Sequence, residues 1–370
     1  MKKNSTCSQS WKGRGSWRQG SVTIGMDLGD KNSRYCVLNE NGEIVKEGRL
    51  ATSKKGLAQE FGALRRCRIA LEVGTHSPWV SRYLSQLGHE AIVANAQQVQ
   101  RISQSSRKDD RLDAEMLARL ARVDAQLLRP IRHRSESAQM HLMRIRVRAA
   151  MVETRTSLIN TARGLSKSAG ERLPQCDAAH MGVERMALLP AELQRVLGPL
   201  LEEVEALSQR ISACEAELKQ IAQTEYPETR LLEQVSGVGT LIALTFVLTL
   251  EDPARFAKSR DVGCYVGLRP KRSESGESQR QLRITKEGDV YLRKLLVQGA
   301  HYILSERGPD TNLKRWGQKL ASSGGKTGKK RAVVAVARKL AILLHRLWVS
   351  GEVYEPLHKA PDRRPWRAAG

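Results

Sequence analysis

Val22-Thr23-Ile24-Gly25-Met26-Asp27-Leu28-Gly29-Asp30-Lys31 decides how the rest of the chain is read. Val22, Ile24, Met26 and Leu28 alternate with smaller or polar residues, the period-two pattern of a β-strand. Asp27 falls at the carboxyl end of that strand, and Gly29 lets the backbone turn away after it. A buried carboxylate without a partner costs several kcal/mol. Asp27 therefore calls for a lysine, a backbone amide or a cation, and the stretch alone does not choose among them.

The residues that follow build a small α/β domain. Residues 34–39 and 43–50 read as two further strands, joined at Asn41-Gly42, the strongest short hairpin signal. Ser53 can cap a helix reaching about Leu64. Arg68-Ile69-Ala70-Leu71-Glu72-Val73-Gly74 is a short apolar strand with one acid in it, residues 77–87 read as helix, and residues 90–94 as strand. Three strands joined through a hairpin, then strand and helix in alternation, resemble the ribonuclease H-like fold.

Two more acidic signals accompany Asp27. Glu72 sits in an otherwise apolar strand, and the simplest reason to tolerate it there is a cation. Lys108-Asp109-Asp110-Arg111-Leu112-Asp113-Ala114 opens a helix running to about Arg122, and Asp110 and Asp113 share one face of its first turn. Taken alone, that pair could simply offset the helix dipole. Together the four carboxylates are hard oxygen donors suited to Mg²⁺ or Mn²⁺. Two such ions about 4 Å apart clamp the attacking and leaving oxygens of a phosphoryl transfer.

Composition points the same way. The 370 residues carry a formal net charge of +23, with 40% hydrophobic and 4% aromatic residues. Basic charge spread along the whole chain implies a polyanionic partner, nucleic acid before a membrane surface. Six scattered cysteines without a CxxC pair imply reduced thiols in a cytoplasmic protein, not disulfides or a zinc site. No apolar run reaches the roughly 18 residues of a membrane span, and residues 1–20 read as a flexible basic arm without a signal-peptide core.

Further along, residues 135–223 are helical in pattern, broken near Gly164, Gly170 and Pro174. Leu200, Val204, Leu207, Ile211, Cys214, Leu218 and Ile221 step by three and four, which fits either a coiled coil between chains or a helical hairpin within one. Ser236-Gly237-Val238-Gly239 between apolar helices fits a helix-hairpin-helix whose second helix offers free N–H groups to a phosphate. Residues 255–267 read as a helix with a turn. Residues 267–276 read as a basic Ser/Gly loop between helices, able to grip phosphate or to present a serine nucleophile. Ser322-Ser323-Gly324-Gly325-Lys326-Thr327-Gly328 fails the Walker A frame and follows no strand, so a nucleotide-hydrolysing reading is rejected. Residues 331–348 form an amphipathic helix, and the tail after Pro361 is basic.

Met26-Asp27-Leu28-Gly29, Leu71-Glu72, Lys108 to Ala114, Ser236 to Gly239, Gly267-Leu268-Arg269-Pro270, Ser275-Gly276 and Ile284-Thr285-Lys286-Glu287-Gly288 occur in the order seen in the IS110/IS1111 transposases of insertion sequences. The chain resembles that family over residues 21–356, ending in Gly351-Glu352-Val353-Tyr354-Glu355-Pro356. The resemblance implies an α/β plus α architecture. Its parts are a RuvC-like (ribonuclease H-like) DEDD domain at residues 21–130, a helical coiled-coil linker at 131–228, and a mostly helical C-terminal transposase domain with a helix-hairpin-helix at 229–356, followed by a basic tail at 357–370. It further implies a metal-binding tetrad of Asp27, Glu72, Asp110 and Asp113 and a nucleophilic serine at Ser275, with Ser273 as the alternative. The expected activity is Mg²⁺-dependent DNA strand exchange through a phosphoserine intermediate. The expected partners are donor and target DNA, a structured guide (bridge) RNA, and further copies of the chain in a dimer or tetramer near the nucleoid. The chain departs from the family at Gln281-Leu282-Arg283, which lacks a usual glycine, and at Asp289, where Asn or another polar residue is frequent. Two rival readings are a RuvC-like nuclease that activates water and uses no serine, and a catalytically idle nucleic-acid-binding scaffold. A sugar-kinase-like ATPase lacks its adenosine-binding Gly-Gly segment.

Overall fold

The computed structural model describes residues 22–95, 110–275 and 278–357, without the side chains of Asp110, 272–275, 278–281 and Lys326. The expected N-terminal arm and the basic tail beyond Leu357 lie outside the described residues. Two compact units meet at Arg134/Ser135.

In the first unit β1 (Thr23–Asp27), β2 (Asn32–Leu38), β3 (Ile44–Ala51), β4 (Arg68–Glu72) and β5 (Glu90–Ala94) form one sheet of order β3-β2-β1-β4-β5. The first three strands run antiparallel, whereas β4 and β5 continue parallel to β1. Period-two alternation gives the sheet two buried faces. Ile24, Met26, Ile69 and Leu71 pack against Leu57 and Phe61 of α1 (Lys54–Phe61) and Val80 and Leu84 of α2 (Ser77–Gln86). Ser53 caps α1 as its sequence implies, accepting from the Gly56 amide at 3.1 Å.

The opposite face takes α3 (Asp110–Val123), which lies across β1, β2 and β4. Ala70 of β4 packs there with Leu117 and Ala121. Gly25 is what lets the helix come so close, because a methyl group at that position would run into the Ala114 carbonyl oxygen and the Ala118 amide. Gly25→Val should therefore cost about 1–3 kcal/mol, the usual size of an overpacking penalty. A urea midpoint unchanged by that substitution would mean that α3 is not seated on β1.

The second unit begins with two long helices, α4 (Glu136–Ser168) and α5 (Ala191–Glu225), packed antiparallel. Ile159 and Ala162 of α4 meet Leu197, Leu201 and Val204 of α5, while Ala138, Leu142 and Ile145 meet Leu218, Ile221 and Ala222 near the other end. The stepped stripe of α5 is thus used within the chain: Val204, Leu207, Ile211, Leu218 and Ile221 are buried, and Arg148 ties to Glu215 across the pair. The helices α6 (Thr229–Glu233), α7 (Thr240–Leu250), α8 (Arg260–Tyr265), α9 (Val290–Leu304), α10 (Asn312–Ser323) and α11 (Gly328–Ser350) follow, with one core around Phe246, Val262, Leu296 and Leu340. Among the described residues no helix is long and apolar enough to cross a membrane.

One expectation needs correcting. Residues 270–284 are not a loop between helices but a β-hairpin of β6 (Pro270–Ser275) and β7 (Ser278–Ile284). Its residues are almost all charged or polar, so no apolar alternation announces strands. The hairpin is fastened at its base. Thr285 and Lys286 donate their amides to the carbonyls of Arg269 (2.9 Å) and Gly267 (3.1 Å). The buried Arg293 guanidinium donates to the Val266 (3.0 Å) and Glu287 (2.8 Å) carbonyls. Gly267 and Gly288 both take positive φ there, where a side chain at either would strike opposing backbone. Asp289, one of the two places at which the chain departs from the family it resembles, caps α9 by accepting from the Leu292 amide at 2.8 Å and pairs with Arg146 at 2.7 Å.

Candidate functional site

Strand pairing brings two of the four acids side by side. Gly25 pairs with Ala70 and Met26 with Leu71, so Asp27 and Glu72 come next in register at the carboxyl ends of adjacent parallel strands. Each lies two residues beyond one that packs on α3 (Gly25 and Ala70), so the strand alternation turns both toward that helix.

Helix direction decides where the other two stand. Near the end of α3, Arg122 donates to the carbonyls of Asn39 (3.3 Å) and Glu40, and Arg68 donates to the Ala121 carbonyl at 3.1 Å. Those contacts set the C-terminus of α3 beside the amino ends of β1 and β4. Its first turn, holding Asp110 and Asp113, accordingly lies toward the carboxyl ends where Asp27 and Glu72 sit. Arg111 fixes that end, with its guanidinium on Glu47 of β3 at 2.6 and 2.7 Å. Asp27, Glu72 and Asp113 are all partly buried. Among the described side chains no group of three or more acids, histidines or cysteines is placed to hold a metal ion. The Asp110 side chain is outside that set.

The loops after β1 and β4 carry a feature the sequence reading missed. His76 Nε2 lies 3.3 Å from Asp30 Oδ1, and the Trp79 indole N–H donates to His76 Nδ1 at 3.1 Å. Accepting on Nδ1 leaves the ring proton on Nε2, where it can donate to Asp30. The β1 loop is pinned as well: the Thr52 hydroxyl donates to the Gly29 carbonyl at 2.8 Å and its amide to Lys31 at 3.0 Å. Behind β4, Gly74 and Ser77 exchange hydrogen bonds, and His133 Nε2 lies 2.9 Å from the same Ser77 hydroxyl. Burial, with help from Arg82 and Arg134, holds His133 below the usual imidazole range. Nothing in the spacing of Asp30 and His76, so far apart in sequence, could have paired them beforehand.

Ser275 closes β6 and pairs with Ser278, while Ser273, two residues earlier, pairs with Arg280. Both serines thus lie on a hairpin rooted in the C-terminal helical core. Among the described residues Cys36, Cys67, Cys176, Cys214 and Cys264 are free, and burial pushes Cys67 up to about 12 and Cys36 up to about 11, which makes those two poor nucleophiles. In the same unit the Ser236–Gly239 turn joins α6 to α7. Gly237, at positive φ, approaches Gly299 of α9 so closely that a methyl group would lie 3.0 Å from its carbonyl oxygen.

Comparison with known proteins gives this arrangement a context. Residues 24–168 match a family model described as a transposase, the DEDD transposase of IS110. Residues 229–313 match a second, described as the transposase of the IS116/IS110/IS902 family. The chain is 30% identical over 284 residues to the transposase for insertion sequence element IS1328 of Yersinia enterocolitica, covering 75% of this chain and 82% of that one. It is 27% identical over 341 residues to the transposase for IS1111A of Coxiella burnetii, covering 90% of each. A probable family 20 transposase of Pseudomonas aeruginosa is also 27% identical, over 90% of this chain and 98% of that protein. Two family models in their expected order and relatives aligned over most of their length place this chain in the IS110 family of insertion-sequence transposases.

Proposed function

We propose that this transposase exchanges DNA strands through a covalent serine–DNA intermediate, with Asp27, Glu72, Asp110 and Asp113 holding Mg²⁺ or Mn²⁺ in a RuvC-like domain. The observation that carries the reading is the shared position of Asp27 and Glu72 at adjacent strand ends, with the first turn of α3 directed toward them. The sheet order β3-β2-β1-β4-β5 supports the RuvC-like assignment. Four carboxylates are the donor set of a hard cation. A divalent ion there would neutralise charge developing on the scissile phosphate.

The chain's own groups would do the rest. The Ser275 hydroxyl attacks phosphorus, one phosphodiester is replaced by a serine phosphodiester, and the departing strand leaves as a free hydroxyl that takes up the proton. The hydroxyl of an incoming strand then reverses the attack and restores serine, so the number of phosphoester bonds is conserved and no hydrolysis occurs. Lysines and arginines supply backbone affinity that falls steeply with salt. Sequence choice is assigned to pairing with an element-encoded guide RNA, which leaves duplex shape and backbone to the protein. The glycine turn between α6 and α7, read as a helix-hairpin-helix, grips a phosphate. The two halves of the active site come from different protomers of a dimer or tetramer.

The test mixes the purified chain with element-end DNA and the RNA from the element's non-coding end, then stops the reaction in denaturant. A protein–DNA adduct that requires divalent metal is expected. Cut DNA bearing no protein would instead identify a RuvC-like nuclease that activates water.

A further inference from the structure

Between α9, α10 and α11 lies a cavity of about 680 Å³ that the strand-exchange chemistry does not use. Two close helix contacts lie beside it. At Gly317 the three helices touch so tightly that a methyl group would fall 2.6 Å from Val336 and 2.7 Å from Leu304. At the Gly-rich turn Gly324–Gly328, α10 and α11 touch again, since a methyl group on Gly328 would run into the Ala321 carbonyl oxygen. Leu304, Ala321 and Val333 line it, with Gln318, Lys329 and Lys330 among its polar residues. No acid lines it, and none occurs between Lys314 and Arg346. The volume falls within the roughly 300–1,000 Å³ of small-ligand pockets.

These walls specify the chemistry of an occupant. The aliphatic surface suits a flat apolar body, the Gln318 amide can donate and accept at its edge, and two exposed lysines suit an attached anion. One class of molecule has all three properties and also belongs with a transposase. We propose that this cavity receives a single unpaired nucleotide of a DNA or RNA strand, its base against Leu304, Ala321 and Val333 and its phosphate between Lys329 and Lys330. A paired base cannot enter, so the site selects bulges, gaps and looped-out positions over continuous duplex. It would mark where a structured strand is held open, independently of whether Ser275 is the nucleophile.

The test is equilibrium binding of the full chain, without added divalent metal, to a duplex carrying one bulged 2-aminopurine and to the same duplex fully paired, in DNA and RNA versions. The wild-type protein is expected to prefer the bulged form by about tenfold, the scale of one base contact. Ala321→Phe, which fills the cavity, should erase that preference and leave duplex affinity alone. Gln318→Ala, at an exposed position, should weaken the preference even if the filled variant folds poorly. Lys329→Gln and Lys330→Gln should each lower the salt dependence of binding by about one unit of slope. Better binding by the DNA or by the RNA version identifies the source of the strand. Equal affinity of the wild-type protein for bulged and paired forms would overturn the proposal, as would a preference that survives both Ala321→Phe and Gln318→Ala. ATP at concentrations that leave duplex binding intact should likewise suppress the preference, because a free nucleotide fills the same cavity.

Discussion

Asp27→Asn should lower metal-dependent DNA cleavage by at least about 10³-fold while leaving the fold and DNA binding intact. The substitution is isosteric and removes one formal charge from the end of β1. Metal ions contribute several kcal/mol to phosphoryl-transfer transition states, and about 1.4 kcal/mol is a factor of ten in rate. Loss of most of that contribution gives a factor of that size. Cleavage rates in saturating Mg²⁺ with wild-type and variant protein check it, with a melting curve as the folding control. Full activity in the variant, or in the wild-type protein under EDTA, would remove the tetrad from the mechanism.

Ser275→Ala should abolish the covalent adduct, since alanine has no atom able to attack phosphorus. RNA binding should be unchanged, because the base of the hairpin is fastened by Gly267, Thr285, Lys286 and Arg293. Ser273→Ala provides the control: it occupies the same strand two positions earlier and should retain the adduct. Denaturing gels of labelled DNA distinguish the outcomes. An adduct that persists in Ser275→Ala and disappears in Ser273→Ala moves the nucleophile to Ser273. Persistence in both removes β6 from the chemistry.

The two units differed in how much their sequences disclosed. The opening sheet was legible because buried strands impose alternation: Ile24 and Met26 against Gly25 and Asp27 give the two faces directly. The Asn41-Gly42 turn and the Ser53 cap set boundaries that the structure keeps to within a residue or two. Asp27 and Glu72 stood out for the same reason, since a carboxylate at the end of an apolar strand needs a reason to be there. The hairpin carrying Ser275 was not legible, because a stretch of almost only charged and polar residues has no apolar period. It is defined by backbone bonds at its base and by a buried arginine, neither of which leaves a local pattern. The stripe on α5 was visible as a stripe but not as to its partner; the residues of α4 that cover it lie before a long break. His76 and Asp30 meet only because β1 and β4 are neighbours, a fact of topology that no spacing carries.

The account rests on a divalent ion being held where β1, β4 and the start of α3 come together. Soaking crystals of the protein with Mn²⁺ and recording anomalous scattering tests this most directly. The account predicts a peak within bonding distance of Asp27 and Glu72 carboxylate oxygens, which the same soak of Asp27→Asn lacks or shows much weakened. Manganese found only elsewhere, or bound equally in both proteins, would contradict it.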